Sequence, residues 1–67
     1  MQLSGRNKLF GEIIEIKRSE VVCEVVIQVG ENQISGVITT TSVDAMNLKL
    51  GDQVTALIKA TEVSFIK

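Results

Sequence analysis

At 67 residues with a formal charge of −1, the chain is one domain, and a domain of this size buries only about 60% of the surface it exposes when unfolded, so it needs a staple beyond its own core. A single cysteine and no histidine exclude an internal disulfide and a Cys/His metal centre, which leaves oligomerisation as that staple. The slightly acidic balance gives no basic field for nucleic acid or acidic membranes, no apolar run reaches the ~18–20 residues of a membrane span, and the first residues lack a secretory apolar core, so a cytoplasmic protein is expected. With 45% apolar residues and a mean hydropathy of +0.29, the chain carries more Val and Ile than so small a domain can hide. Part of that surface is expected at subunit contacts.

In chain order, Ser4-Gly5-Arg6-Asn7 comes first and concentrates donors: a hydroxyl, an open backbone, a guanidinium and an amide. Residues 7–17 interleave β-branched and charged residues and predict a strand, with a bulge or sharp coil at Gly11. Arg18-Ser19-Glu20 is a polar turn. The next run is Val21-Val22-Cys23-Glu24-Val25-Val26-Ile27-Gln28-Val29, a strand with Val21, Cys23, Val25, Ile27 and Val29 on one face and a half-apolar opposite face. Gly30-Glu31-Asn32 then turns it into a hairpin with residues 33–39. Thr41 is the expected N-cap of a short helix, with Asp44 at its third position, Val43 and Met46 facing inward, and Asn47 ending it. After the turn at residues 48–52, residues 53–59 place Val54, Ala56 and Ile58 inward, and Val63-Ser64-Phe65-Ile66 is the last expected strand. The predicted fold is all-β: a five-stranded Greek-key barrel of OB type with one short helix between strands three and four.

No nucleophile has a histidine base and the carboxylates are scattered singly, so catalysis is not expected and no metal site is predicted. Nucleic-acid binding by such a barrel calls for aromatic platforms and a basic groove, and the chain has neither; Phe10 and Phe65 are expected in the core. What remains is one chemistry offered by three segments: Ser4, Gly5, Arg6 and Asn7; the hydroxyls Thr39 and Ser42 beside the helix start; and Lys59 with Ala60 and Thr61. All three donate hydrogen bonds or positive charge to an anion. Taken singly, each has a bland role: a solvated tail, a helix cap, a snorkelling lysine on an edge strand.

Together these segments resemble the molybdate-binding Mop domains, or molbindins, which are related to TOBE domains. The resemblance runs over residues 1–67 as a single Mop domain. It rests on the Ser-Gly-Arg-Asn start, the Val37 to Ser42 step, the Gly-Asp-x-Val turn at Gly51 to Val54, and Ile58-Lys59-Ala60-Thr61. It implies an intracellular protein for storage and homeostasis, not an enzyme and without a cofactor, that binds molybdate or tungstate between the subunits of a homohexamer built from dimers. The oxyanion would meet Ser4, Gly5, Arg6, Asn7, Thr39, Ser42, Lys59, Ala60 and Thr61. A second kind of site, near the threefold axis, would involve Ser19, Glu20, Val21 and Val22, where Glu20 and Val22 depart from the Ala and Asn frequent in the family and bring a carboxylate towards the anion. The alternative reading is a structural or regulatory assembly module of the same fold without useful oxyanion affinity.

Overall fold

The structure is a computed structural model and describes residues 6–67, so Ser4 and Gly5 lie outside the described residues. Its elements are β1 (Arg6–Arg18), β2 (Val22–Val29), β3 (Asn32–Thr39), a helix α1 (Thr40–Met46) and β4 (Gln53–Lys59), followed by a 3-10 turn at Ala60–Glu62. The strands form one antiparallel sheet in the order β3-β2-β1-β4.

The sheet curls because β1 serves two partners in succession. Its first half pairs with β4, from Arg6 opposite Lys59 to Glu12 opposite Gln53, and its second half with β2, from Glu12 opposite Gln28 to Arg18 opposite Cys23. Gly11 stands at that handover. A Cβ there would overlap the Gln28 carbonyl oxygen and lie 2.9 Å from Val29 Cγ2, so only glycine lets β1 cross β2 this closely. The bulge expected at Gly11 falls further along β1, between Ile13 and Glu15. Ile13 also ties down the loop before β4, since its N–H donates to the Asp52 carbonyl (2.9 Å) and its carbonyl accepts from Gly51 N (2.8 Å).

The core is small: Ile13, Cys23, Val26, Ile27 and Val43 are buried. Cys23 is a packed hydrophobe, as its position in the alternation implied. Val54, Ala56 and Ile58 are the half-buried set of β4, again as the alternation implied.

Two expectations are corrected and a third is met only in part. The helix is capped by Thr39 rather than Thr41, because β3 keeps its ladder until Thr39 pairs with Val22, leaving that residue extended (φ −69°, ψ 148°) at the helix entry. Asp44 therefore belongs to no capping box, and Met46 is 58% exposed; Asn47 does end the helix, in the left-handed conformation. Second, Phe10 and Phe65 are not core. Phe10 pairs with Thr55 on the outer side of β1 and is 65% exposed, and Phe65 is 92% exposed. Third, the described residues form four strands, and Val63-Ser64-Phe65-Ile66 is not among them. A strand exists only against a partner, and the 3-10 turn leads these residues off with Ile66 fully exposed. Among the described residues no helix is long and apolar enough to cross a membrane and no acidic or Cys cluster could hold a metal ion.

Candidate functional site

At one end of the sheet, the antiparallel register sets Arg6 directly opposite Lys59 and Asn7 opposite Ile58. Residues so placed have Cβ atoms about 4.5–5.5 Å apart, so two cations share one patch of surface. Both are exposed, and among the described residues neither forms an ion pair. Asn7 Nδ2 donates to the Ile58 carbonyl (3.3 Å), which aligns the amide along the rung and leaves its second N–H available. Ala60 and Thr61 follow in the exposed 3-10 turn, which Lys59 opens without a side-chain cap. Two positive charges, an amide, a hydroxyl and turn N–H groups lie near one another here, and all are of the type that an anion whose oxygens only accept would use.

The second group of candidates lies around the helix start. Thr39 Oγ1 accepts from Ser42 N (3.1 Å) and donates to Ser42 Oγ (2.8 Å), so the Ser42 hydroxyl keeps its own proton for an outside acceptor. Next to it, Thr40 N donates to the Val21 carbonyl (2.9 Å) and Thr40 Oγ1 to the Ser19 carbonyl (2.8 Å), with Cys23 Sγ at 3.3 Å. Thr40 thus fastens the helix start to the turn of Ser19, Glu20, Val21 and Val22. The turn is also closed on itself, since Ser19 Oγ donates to the Val22 carbonyl (2.6 Å) and accepts from Val22 N (3.4 Å). All four of its residues are exposed. Arg18, at the same end, is already engaged: its Nη2 donates to Asp44 Oδ1 (2.9 Å), and that hydrogen bond, followed by the charge of Asp44, holds the guanidinium above its ordinary pKa.

The candidates therefore fall into two clusters. One chain brings together Arg6, Asn7, Lys59, Ala60 and Thr61, and separately brings Thr39 and Ser42 beside Ser19, Glu20, Val21 and Val22. The first cluster sits at the Arg6 end of β1; the second is level with its Arg18 end, through the pairing of Arg18 with Cys23 and of Val22 with Thr39. A 13-residue strand separates them, on the order of 40 Å of extended chain before curling. Sequence reasoning missed Thr40 as the residue that joins helix and turn, although the hydroxyl run at residues 39–42 pointed to the neighbourhood; for the Arg18–Asp44 tie, 26 positions apart, it had no signal.

A groove of about 700 Å³ lies between β3 and β4, which end the sheet among the described residues; Ile13, Val25 and Ile27 line it, with Arg6, Lys59 and Glu62 also in its lining.

Comparison with known proteins agrees with this architecture. Residues 3–65 match the TOBE domain family. The chain is 36% identical over 67 residues to molybdenum-pterin-binding protein 1 of Clostridium pasteurianum, covering 98% of each. Among solved structures, it is similar to a molybdate binding protein from Sporomusa ovata (40% identity, TM-score 0.92, both chains covered in full). It is also similar to MopII of Clostridium pasteurianum (34% identity, TM-score 0.90, 98% of this chain and all of that one). The chain belongs to the TOBE domain family, on its Mop, or molbindin, branch.

Proposed function

We propose that the protein binds molybdate, or the similarly shaped tungstate, as an intact oxyanion for cytoplasmic storage and homeostasis, without catalysis. In this reading the anion lies between subunits of a hexamer built from dimers, each subunit completed to a five-stranded OB-type barrel. Ser4, Gly5, Arg6, Asn7, Lys59, Ala60 and Thr61 come from one part of the interface, and Thr39 and Ser42 from another. Ser19, Glu20, Val21 and Val22 belong to a second site.

The observation that carries the reading is Arg6 facing Lys59 across the β1–β4 ladder. Like charges directly opposite on neighbouring strands oppose pairing, so a protein that keeps them there gains only if something negative lies between them. A tetrahedral dianion offers four acceptor oxygens and two charges, which one guanidinium, one ammonium and neighbouring donors match without a metal or a proton transfer. The division of the remaining donors between the two ends of β1 favours a site made by more than one copy. The names of the relatives, molybdenum-pterin-binding and molybdate binding, point to the same ligand class.

Titration calorimetry with molybdate, tungstate and sulfate tests the reading. Saturable heat with the first two at micromolar concentration is expected, and no heat with any dianion would leave only an assembly module. Light scattering tests the oligomer: a particle of six chains is expected, and a folded 7.3 kDa particle would refute it.

A further inference from the structure

Among the described residues that line the groove, Glu62 is the acidic one, and it stands there with the two cations of the β1–β4 rung, Arg6 and Lys59. Its place follows from the local fold. β4 ends at Lys59, which is extended (φ −62°, ψ 140°), and the chain then makes a single 3-10 turn with Lys59 at its cap and Glu62 as its last residue. Val63 N closes the turn on the Ala60 carbonyl. In such a turn residues three apart lie one above the other, about 6 Å along the axis, so the Lys59 and Glu62 side chains leave the backbone on one side.

The carboxylate is close to the cations and committed to neither. Glu62 is exposed, and among the described residues it forms no ion pair with Arg6 or Lys59. The carboxylate on the β1–β4 ladder itself, Glu12, is opposite Gln53 at the far end from Arg6, about 20 Å along the strand and well beyond the ~8 Å over which exposed charges act at physiological salt. Two cations and one carboxylate therefore leave the empty cluster with a single net positive charge rather than two. We propose that Glu62 sets the affinity of the Arg6–Lys59 cluster by competing with the oxyanion: its carboxylate partly neutralises the two cations when the site is empty and repels the dianion when the site is filled. This role rests on the ligand reading proposed above, which does not itself use Glu62. A store has to release its ligand, and a cluster with one net charge holds a dianion less firmly than a cluster with two. Because Glu62 has no fixed partner, its effect is one of charge and weakens as salt rises. A unit charge and a dianion about 6–8 Å apart at a wet, screened surface change the affinity by a factor of about three to ten.

The test compares the unaltered chain with Glu62→Gln, which removes the charge at equal length, and Glu62→Asp, which keeps it. Calorimetric titration with molybdate is run at about 0.1 M and about 1 M sodium chloride, where exposed charges act over about 10 Å and about 3 Å. At the lower salt, Glu62→Gln is expected to bind about three- to tenfold more tightly than the parent and Glu62→Asp like the parent. At the higher salt the three are expected to bind alike. Three results overturn the proposal: Glu62→Gln binding no more tightly than the parent at low salt, Glu62→Asp gaining as much as Glu62→Gln, or a gain that persists at high salt and so comes from a reshaped turn. Failure of the ligand reading looks different. If the parent binds and Glu62→Gln gains nothing, only the role of Glu62 falls; if neither gives saturable heat, the ligand reading falls and the role of Glu62 with it. Saturable heat from Glu62→Gln beside a silent parent supports the proposal, since the carboxylate then keeps the site empty.

Discussion

Neutralising either cation of the β1–β4 rung separates the proposed ligand site from a chance pairing of surface charges. Arg6→Gln and Lys59→Gln each keep a polar side chain of similar reach and remove one charge. A hydrogen bond to a charged group contributes roughly 1.5–3 kcal/mol, and each 1.4 kcal/mol is a factor of ten, so each variant should bind molybdate about one to two decades more weakly. Lys8→Gln is the matched control. Lys8 pairs with Leu57, lies two residues along the same outer side of β1 as Arg6, and carries the same charge, but it is off the rung. It therefore reports any loss due only to the general field, which at physiological salt decays over about 8 Å.

Stability should move in the opposite direction from affinity. Facing like charges on neighbouring strands cost about 0.2–1 kcal/mol, and because both residues are exposed the lower end applies. The ligand-free Lys59→Gln protein should melt at the parental temperature or slightly above it, while its response to molybdate is lost. Calorimetric dissociation constants for the three variants and the parent, with melting curves for each, decide the matter. If Arg6→Gln, Lys59→Gln and Lys8→Gln all bind like the parent, the two cations do not share a ligand, and the site assignment fails even with the fold intact.

The remaining predictions concern the frame that holds the site. Val43→Ala, at a position 1% exposed, removes two methyl groups and should cost about 2 kcal/mol in urea unfolding, whereas Met46→Ala on the exposed side of the same helix should cost well under half of that. Gly11→Ala drives a Cβ into the Gln28 carbonyl and should cost about 1–3 kcal/mol; Gly36→Ala meets nothing within the chain and should leave the stability of one copy unchanged or slightly raised. Thr39→Ala should lose about 1 kcal/mol by uncapping the helix and Thr39→Ser should not, while Ser42→Ala should keep the helix and weaken oxyanion binding.

The strands were legible because their alternation is a local property: the four observed strands start and stop within a residue or two of where the periodicity placed them. Choices made by distant pairing were not legible. Four hydroxyls in a row at residues 39–42 are all competent caps, and Thr39 takes the role only because its pairing with Val22 ends β3 there. Phe10 looked like core because it is large and sits in a strand, yet its side is set by register, and the rung that pairs Leu9 with Ala56 inward turns Phe10 and Thr55 outward. The composition of Arg6, Lys59, Thr39 and Ser42 pointed to an anion as the type of ligand. It carried no distance, and a chain that bends β1 between two partners puts these residues at opposite ends. Val63-Ser64-Phe65-Ile66 has the composition of a strand, but no local pattern states whether a segment finds an edge to pair with.

That division of the candidate site has a consequence for how binding would be observed. If Thr39 and Ser42 of one copy complete the site of Arg6 and Lys59 of another, the ligand recognises the assembly and not the single chain, and binding and association become one linked equilibrium. A ligand present at 100 times its dissociation constant then adds about 2.7 kcal/mol per site to the assembled state alone. The melting temperature should therefore rise with protein concentration in the absence of ligand, and further with molybdate at any fixed concentration. Arg6→Gln and Lys59→Gln should keep the first dependence and lose the second, because each removes one charge from the ligand site and leaves the backbone pairing of the strands in place. Differential scanning calorimetry over a tenfold range of protein, with and without molybdate, separates the two. A 7.3 kDa particle that binds molybdate with the full affinity of the parent would show that the Arg6–Lys59 cluster suffices alone. It would remove Thr39 and Ser42 from the site.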